Sequence, residues 1–231
     1  KDRNAGNTYL ISDTDNFNVT IQYDFGIASL RSLTGYARNE VRNIDDCAGM
    51  PVLIGCVRGA SPSEYDQWSQ EFQLVGSLDR IDYVLGVFYF NEKAWEEAAT
   101  PSTNRWNANG TGYTINDPTP THPGFRSLDR ASIAYAESTG VYGQLTWTPP
   151  ILEDRLHLTV GGRQTKDEKN GWLYKVNNAA TNLRFDQSEE RFDPVAVAAF
   201  DFTPDFNVYA RYSTGYRAGG ASSRSLTYDA F

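Results

Sequence analysis

The residues able to do chemistry are few and far apart. His122 lies in "PTPTHPGF", a proline-rich stretch, and His157 begins "HLTVGG" beside a turn. Nucleophilic or acid–base catalysis needs a hydroxyl or carboxylate within hydrogen-bond reach of such an imidazole, and no serine stands next to either. Cys47 and Cys56 sit in "DDCAGMPVLIGCVRG" and are the only two cysteines, too few for the usual four-ligand zinc site. The acidic pairs Asp13/Asp15 and Asp45/Asp46 lack the glycine and closing glutamate of a calcium loop and read as solvated carboxylates. The expectation is no catalytic residue, no metal and no cofactor.

What must position these residues is a set of long alternating strands. "FNVTIQYDF", "RIDYVLGVFYF", "LHLTVGG" and "FNVYARYSTGY" each put an apolar side chain at every second position. Yet only 40% of the 231 residues are hydrophobic, while aromatics reach 13%, and the mean hydropathy is -0.53. No run of eighteen apolar residues exists to make a membrane-spanning helix. A membrane strand makes no such demand, because it shows lipid only one face. The opening "KDRNAGNTYL" has no apolar leader, so the chain reads as mature or as starting inside a longer protein. A net charge of -8 without a basic cluster speaks against a nucleic-acid partner.

Period-two reading gives about eight strands, near 16–25, 27–38, 68–78, 81–92, 140–148, 155–167, 192–202 and 206–216. Tight turns ("DFGIA", "SLDRID", "TPPILEDR", "TPDFN") alternate with long polar connections over 39–67, 93–139 and 168–191. Within the second, "EKAWEEAAT" has the composition of a turn or two of helix. Antiparallel strands reverse at every step, so all long connections fall at one end. Short turns at one rim and long loops at the other is the build of an outer-membrane barrel. The predicted fold class is all-β, an antiparallel transmembrane β-barrel, partial, made of hairpins with short periplasmic turns and long extracellular loops.

The faces agree. Phe17, Val19, Ile21, Tyr23 and Phe25 oppose Asn18, Thr20, Gln22 and Asp24; Phe206, Val208, Ala210 and Tyr212 oppose Asn207, Tyr209, Arg211 and Ser213. In 192–202, Ala196, Ala198, Phe200 and Phe202 are assigned to lipid, since the other set would carry Asp201 there. Phe25, Trp147 and Phe206 near the turns, and Phe17, Trp68 and Trp95 toward the long loops, suggest two interfacial aromatic girdles. A soluble β-sandwich, whose buried face also alternates, is the competing reading.

"YDQWSQEFQLVGSLDRIDYVLGVFYFNEK", "GVYGQLTWTPPILEDRLHLTVGGRQTKDEK" and "FDPVAVAAFDFTPDFNVYARYSTGYRAGG" resemble consecutive hairpins of the β-barrel domain of TonB-dependent outer-membrane receptors. The resemblance implies that residues 1–231 are an internal part of such a barrel, in the Gram-negative outer membrane. It implies outer-membrane lipid as surroundings, a small ligand such as an iron chelate, and a TonB complex reached through a plug domain this sequence does not show. The alternative is a small complete barrel with a passive role. In an oxidising exterior, Cys47 and Cys56 are expected to form a disulfide within the first long loop, two free thiols being the alternative. By height alone, candidate ligand contacts are Tyr36, Arg38, Trp95, Arg163, Lys166, Arg211, Tyr216 and Arg217 near the outer strand ends.

This topology predicts a labelling pattern. With the native cysteine pair replaced, single cysteines at Ala60, Asn109 and Asn178 react with a membrane-impermeant thiol reagent on intact cells, and cysteines at Gly26, Asp79 and Asp205 do not. Equal labelling of both sets would reverse or abolish the assignment.

Overall fold

The computed structural model describes residues 9–46, 58–60, 62–99, 104–106, 109, 111, 113–115, 128–176 and 179–221. The strands are β1 (Tyr9–Asp24), β2 (Ala28–Asp46), β3 (Arg58–Ala60), β4 (Ser63–Leu78), β5 (Ile81–Ala99), β6 (Asn104–Trp106), β7 (Tyr113–Ile115), β8 (Leu128–Trp147), β9 (Leu156–Val176), β10 (Ala179–Thr203) and β11 (Phe206–Ser213). The long strands pair in the order β1-β2-β4-β5-β8-β9-β10-β11, every pair antiparallel. Short β3 bridges the outer ends of β2 and β5, and β6 and β7 form a ladder of their own. Among the described residues β1 and β11 are the edges and do not pair with each other, so the sheet is an open portion of a barrel wall.

At the short-turn rim, Gly26 turns the chain with φ +90°, and the Phe25 N–H donates to the Ala28 carbonyl at 3.0 Å. Asp79 takes a left-handed conformation, φ 47°, in the two-residue turn between β4 and β5. Arg80 of that turn pairs with Asp154 of the next, tying the two together.

The predicted strands are all present; most are too short at their outer ends, whereas the last, predicted over 206–216, ends at Ser213. Segment 168–191, predicted as a loop, is strand over its described residues, 168–176 and 179–191: it is the outer half of the β9/β10 hairpin, with Asp167 opposite Glu189 and Gly171 opposite Phe185. Likewise "EKAWEEAA" continues β5 and forms no helix, and β1 and β2 run from Tyr9 to Asp46 with only the turn between them. The cause is physical. Beyond the membrane both faces meet water, so the hydrophobic period disappears while the backbone ladder continues.

Register sorts the side chains. One face carries Phe17, Ile21 and Tyr23 of β1, Leu30 and Tyr36 of β2, Phe72 of β4, Leu85 and Val87 of β5, Val141 and Leu145 of β8, and Val160 of β9. These are exposed, Ile21 to 63% and Val160 to 57%, with no second sheet over them among the described residues. That overturns the sandwich alternative, whose apolar face would be buried. Ala196, Ala198 and Phe200 pair with Tyr212, Ala210 and Val208 and lie on this apolar face, as predicted.

The apolar band has visible limits. At its outer edge Phe17, Tyr36 and Trp68 lie side by side across β1, β2 and β4, and Trp68 packs against Tyr89 at 5.5 Å between ring centroids. The next row out is charged: Asp15, Arg38, Asp66 and Lys93. At the turn rim Tyr23 stacks with Phe25 at 6.3 Å, and Phe202 packs on Phe200 and Phe206 at 4.8 and 5.7 Å. From Phe17 to Phe25 is about nine residues, the ~9–11 that a tilted strand needs to cross the hydrocarbon. Trp95 is not in the girdle; it lies farther out, opposite Glu64 and Ile133.

Parity makes a direct prediction. Ile21→Arg on the apolar face destabilises the lipid-embedded protein by ~2–4 kcal/mol, whereas Thr20→Arg on the polar face costs less than about 1 kcal/mol. Urea unfolding in lipid vesicles measures both.

Candidate functional site

The opposite, polar face is where chemistry can gather. Alternation delivers Glu71 and Gln73 from β4, Gly86 and Phe88 from β5, Tyr142 from β8, Arg163 and Thr165 from β9, Asp193 from β10 and Arg211 from β11 to one stretch of wall. Gly86 is the slot that organises it. A Cβ there would overlap the Tyr142 ring, so glycine lets that ring lie across β5 and donate its hydroxyl to Glu71. Gln73 donates a second hydrogen bond to Glu71 at 2.9 Å.

Arg163 lies over this aromatic step. Its guanidinium is 5.2 Å from the Phe88 ring centroid and 5.8 Å from that of Tyr142, within cation–π range. Its Nε donates to Thr165 Oγ1 at 3.0 Å. A cleft of about 350 Å³ opens here, lined by Glu71, Tyr142, Arg163, Asp193, Arg211 and Thr214 among others.

The charges in the cleft are unequally engaged. Glu71 accepts from Tyr142 and Gln73; Asp193 accepts from Arg191 at 3.2 Å and from Thr214 at 2.9 Å. Arg163 has no carboxylate partner among the described residues, and Arg211 makes no hydrogen bond or ion pair among them. Both carboxylates are therefore hydrogen-bonded by neighbours, Asp193 also by a cation, while Arg163 and Arg211 have no carboxylate partner among the described residues and are left for an anion.

The sequence candidates divide between the faces. Arg163 and Arg211 flank the cleft. Tyr216 lies on the same polar face farther out, its hydroxyl donating to Asp167 and its ring 5.8 Å from the Arg191 guanidinium. Burial and the neighbouring Asp167 push its pKa up to about 12, so it keeps its proton. Arg217 follows it and is exposed.

Tyr36, Arg38, Trp95 and Lys166 are on the other face, away from the cleft. Tyr36 belongs to the girdle. Arg38 is taken up by Glu40, Glu64 (3.0 Å) and Asp66 (3.7 Å), Lys166 by Glu168 at 2.7 Å, and the Trp95 indole donates to Tyr174 at 2.8 Å. Height along the strand, which groups these residues in the sequence, does not distinguish the two faces.

Glu71, Phe88, Tyr142 and Asp193 were missed, because nothing local marks a residue whose partner comes from another strand. No serine stands next to His157 in the sequence. The structure brings Thr148 Oγ1 to 2.9 Å from Nδ1 and Asp201 Oδ2 to 3.1 Å from Nε2. This clasp joins β9 and β10 to the residue that follows β8 at the turn rim and satisfies both ring nitrogens. His122, Cys47 and Cys56 lie outside the described residues.

Removing the bridging hydroxyl tests the wall. Tyr142→Phe leaves Glu71 with a lost donor and is expected to cost ~1–3 kcal/mol; Gly86→Val, which expels the ring from its slot, costs more. Urea unfolding in lipid ranks the two variants.

The family description "TonB dependent receptor-like, beta-barrel" matches residues 1–230. No curated protein matches the chain. Among solved structures, the ferric yersiniabactin uptake receptor FyuA from Yersinia pestis is similar with a TM-score of 0.67 and 18% identity, covering 88% of this chain and 28% of that one. The ferric citrate transporter FecA in its unliganded form has a TM-score of 0.67 and 14% identity, covering 88% and 27%. The siderophore receptor PiuA from Acinetobacter baumannii has a TM-score of 0.60 and 16% identity, covering 89% and 32%. The chain thus spans about a third or less of the length of these proteins, and such identities speak to fold alone. With the family description matching nearly its whole length, the chain belongs to the TonB-dependent receptors, as a part of their β-barrel in the Gram-negative outer membrane.

Proposed function

We propose that these residues form part of the wall of a receptor that takes up a scarce anionic ligand of the ferric siderophore kind. Uptake is energised by TonB through a plug domain that these residues do not supply. The observation that carries the reading is the pairing of Arg163 and Arg211, both without carboxylate partners among the described residues, with the aromatic step of Phe88 and Tyr142 on the polar face. Guanidinium groups donate strong charge-assisted hydrogen bonds to anionic oxygens, and flat chelates stack on aromatic faces. The structurally similar FyuA, a ferric yersiniabactin uptake receptor, FecA, a ferric citrate transporter, and PiuA, a siderophore receptor, support the same ligand chemistry.

In this reading Arg163 and Arg211 hold the ligand, Tyr142 and Phe88 form the surface beneath it, and Glu71 keeps Tyr142 in place. In cells where the receptor is the sole route, uptake of radiolabelled iron from a panel of siderophores and ferric citrate identifies the chelate. Arg163→Gln and Arg211→Gln each weaken its apparent affinity about tenfold, the effect of one lost charge-assisted hydrogen bond. Deleting TonB abolishes uptake by the unaltered receptor. Uptake that persists without TonB would instead support a passive barrel.

A further inference from the structure

β10 is the longest strand among the described residues, yet its partner β11 covers only Val195–Thr203. The predicted last strand, 206–216, stops at Ser213. Pro194 explains the stop. The Thr214 N–H donates to the Pro194 carbonyl at 3.3 Å, and the reciprocal bond cannot form because proline has no N–H to return. From there the chain leaves the ladder and crosses the polar face.

Three attachments hold it there. Thr214 Oγ1 donates to Asp193 at 2.9 Å. The Tyr216 hydroxyl donates to Asp167, with Arg191 over its ring. Lys169 Nζ donates to the Gly219 carbonyl at 3.1 Å. Asp193, Asp167 and Lys169 climb the wall toward its outer end, starting at the cleft. Thr214 belongs to both structures, being the base of the strap and part of the cleft lining.

We propose that residues 214–220 are a latched strap that controls access to the cleft of Arg163 and Arg211 from the outer end, with the Tyr216–Asp167 hydrogen bond as its latch. The attachments are side-chain contacts, apart from the single ladder bond at Pro194. The strap can therefore lift without breaking the sheet, and Pro194 confines the movement to residues beyond Thr214. Tyr216 keeps its proton over the physiological range, so the latch donor is always present. The proposal rests on the reading of the cleft as the ligand site, but its test needs no ligand.

Two single-cysteine reporters are placed in the intact receptor, with the native cysteines replaced: Gln187→Cys beneath the strap and Val195→Cys in the cleft. Their reaction rates with a membrane-impermeant maleimide are compared with and without the latch. Tyr216→Phe and Asp167→Asn, both close to isosteric, each raise labelling of both reporters about tenfold, the fold-change carried by one hydrogen bond to a carboxylate. Resistance of the barrel to cold SDS shows that each variant is folded, and Thr214→Val provides a third way to loosen the strap. Unchanged rates at Gln187→Cys in folded latch variants would show that the strap is not latched there. A rise at Gln187→Cys without one at Val195→Cys would show that it does not control the cleft, and either result overturns the proposal. If both reporters respond while the arginine variants leave uptake intact, the strap stands and the assignment of the ligand site fails.

Discussion

Everything in this chain follows from the backbone hydrogen bond in hydrocarbon. No water is present there to satisfy an unpaired N–H or C=O, so a strand can cross only if neighbours complete its ladder. Among the described residues, the β2, β4, β5, β8, β9 and β10 segments that cross the apolar band are paired on both sides. The bond that proline removes falls at the outer end of β11, at the point where the chain leaves the sheet. The constraint also explains the modest hydrophobicity: once the backbone is satisfied by its neighbours, one apolar face is enough.

The second face is then free for polar groups, and glycines give it relief. At Gly86 the missing side chain makes room for Tyr142 to lie flat and reach a carboxylate two strands away. Arg163 rests on the ring so placed. A rigid wall thereby holds aromatic and cationic groups in fixed positions, with Glu71 and Asp193 already satisfied by neighbours. The net result is a small region whose spare hydrogen-bonding capacity is on arginine, inside a chain whose total charge is -8. Net charge would have pointed the other way; local pairing decides what a ligand meets.

Outside the membrane the same ladder persists under different rules. The Arg38 cluster with Glu40, Glu64 and Asp66 begins one row beyond the aromatic girdle, at the depth where charge ceases to be costly. The β9/β10 hairpin continues to residues 176 and 179 with charged and polar groups on both sides. These exposed ion pairs are each of small worth; the extensions depend on main-chain pairing and on packing of residues such as Leu173 and Ala131, which are fully buried.

By itself the sequence determined the fold class, the strand order, the rim that bears the short turns and the face of nearly every membrane-crossing residue, including the choice of Ala196, Ala198 and Phe200 for lipid. Those properties are local: a period of two, a turn residue and a length of about nine residues are all written in consecutive positions. The outer strand halves were not legible, since a strand wet on both faces loses its period. Nor was the cleft. Height along a strand placed Arg38 and Arg163 in one class, and only register showed that one belongs to the ion-paired collar and the other to the polar wall. The contacts of Tyr142 with Glu71, of His157 with Thr148 and Asp201, and of Tyr216 with Asp167 join residues from 9 to 71 positions apart. Tertiary structure alone decides such pairs, because hydrogen bonds act over about 3 Å in space and carry no mark of separation along the chain.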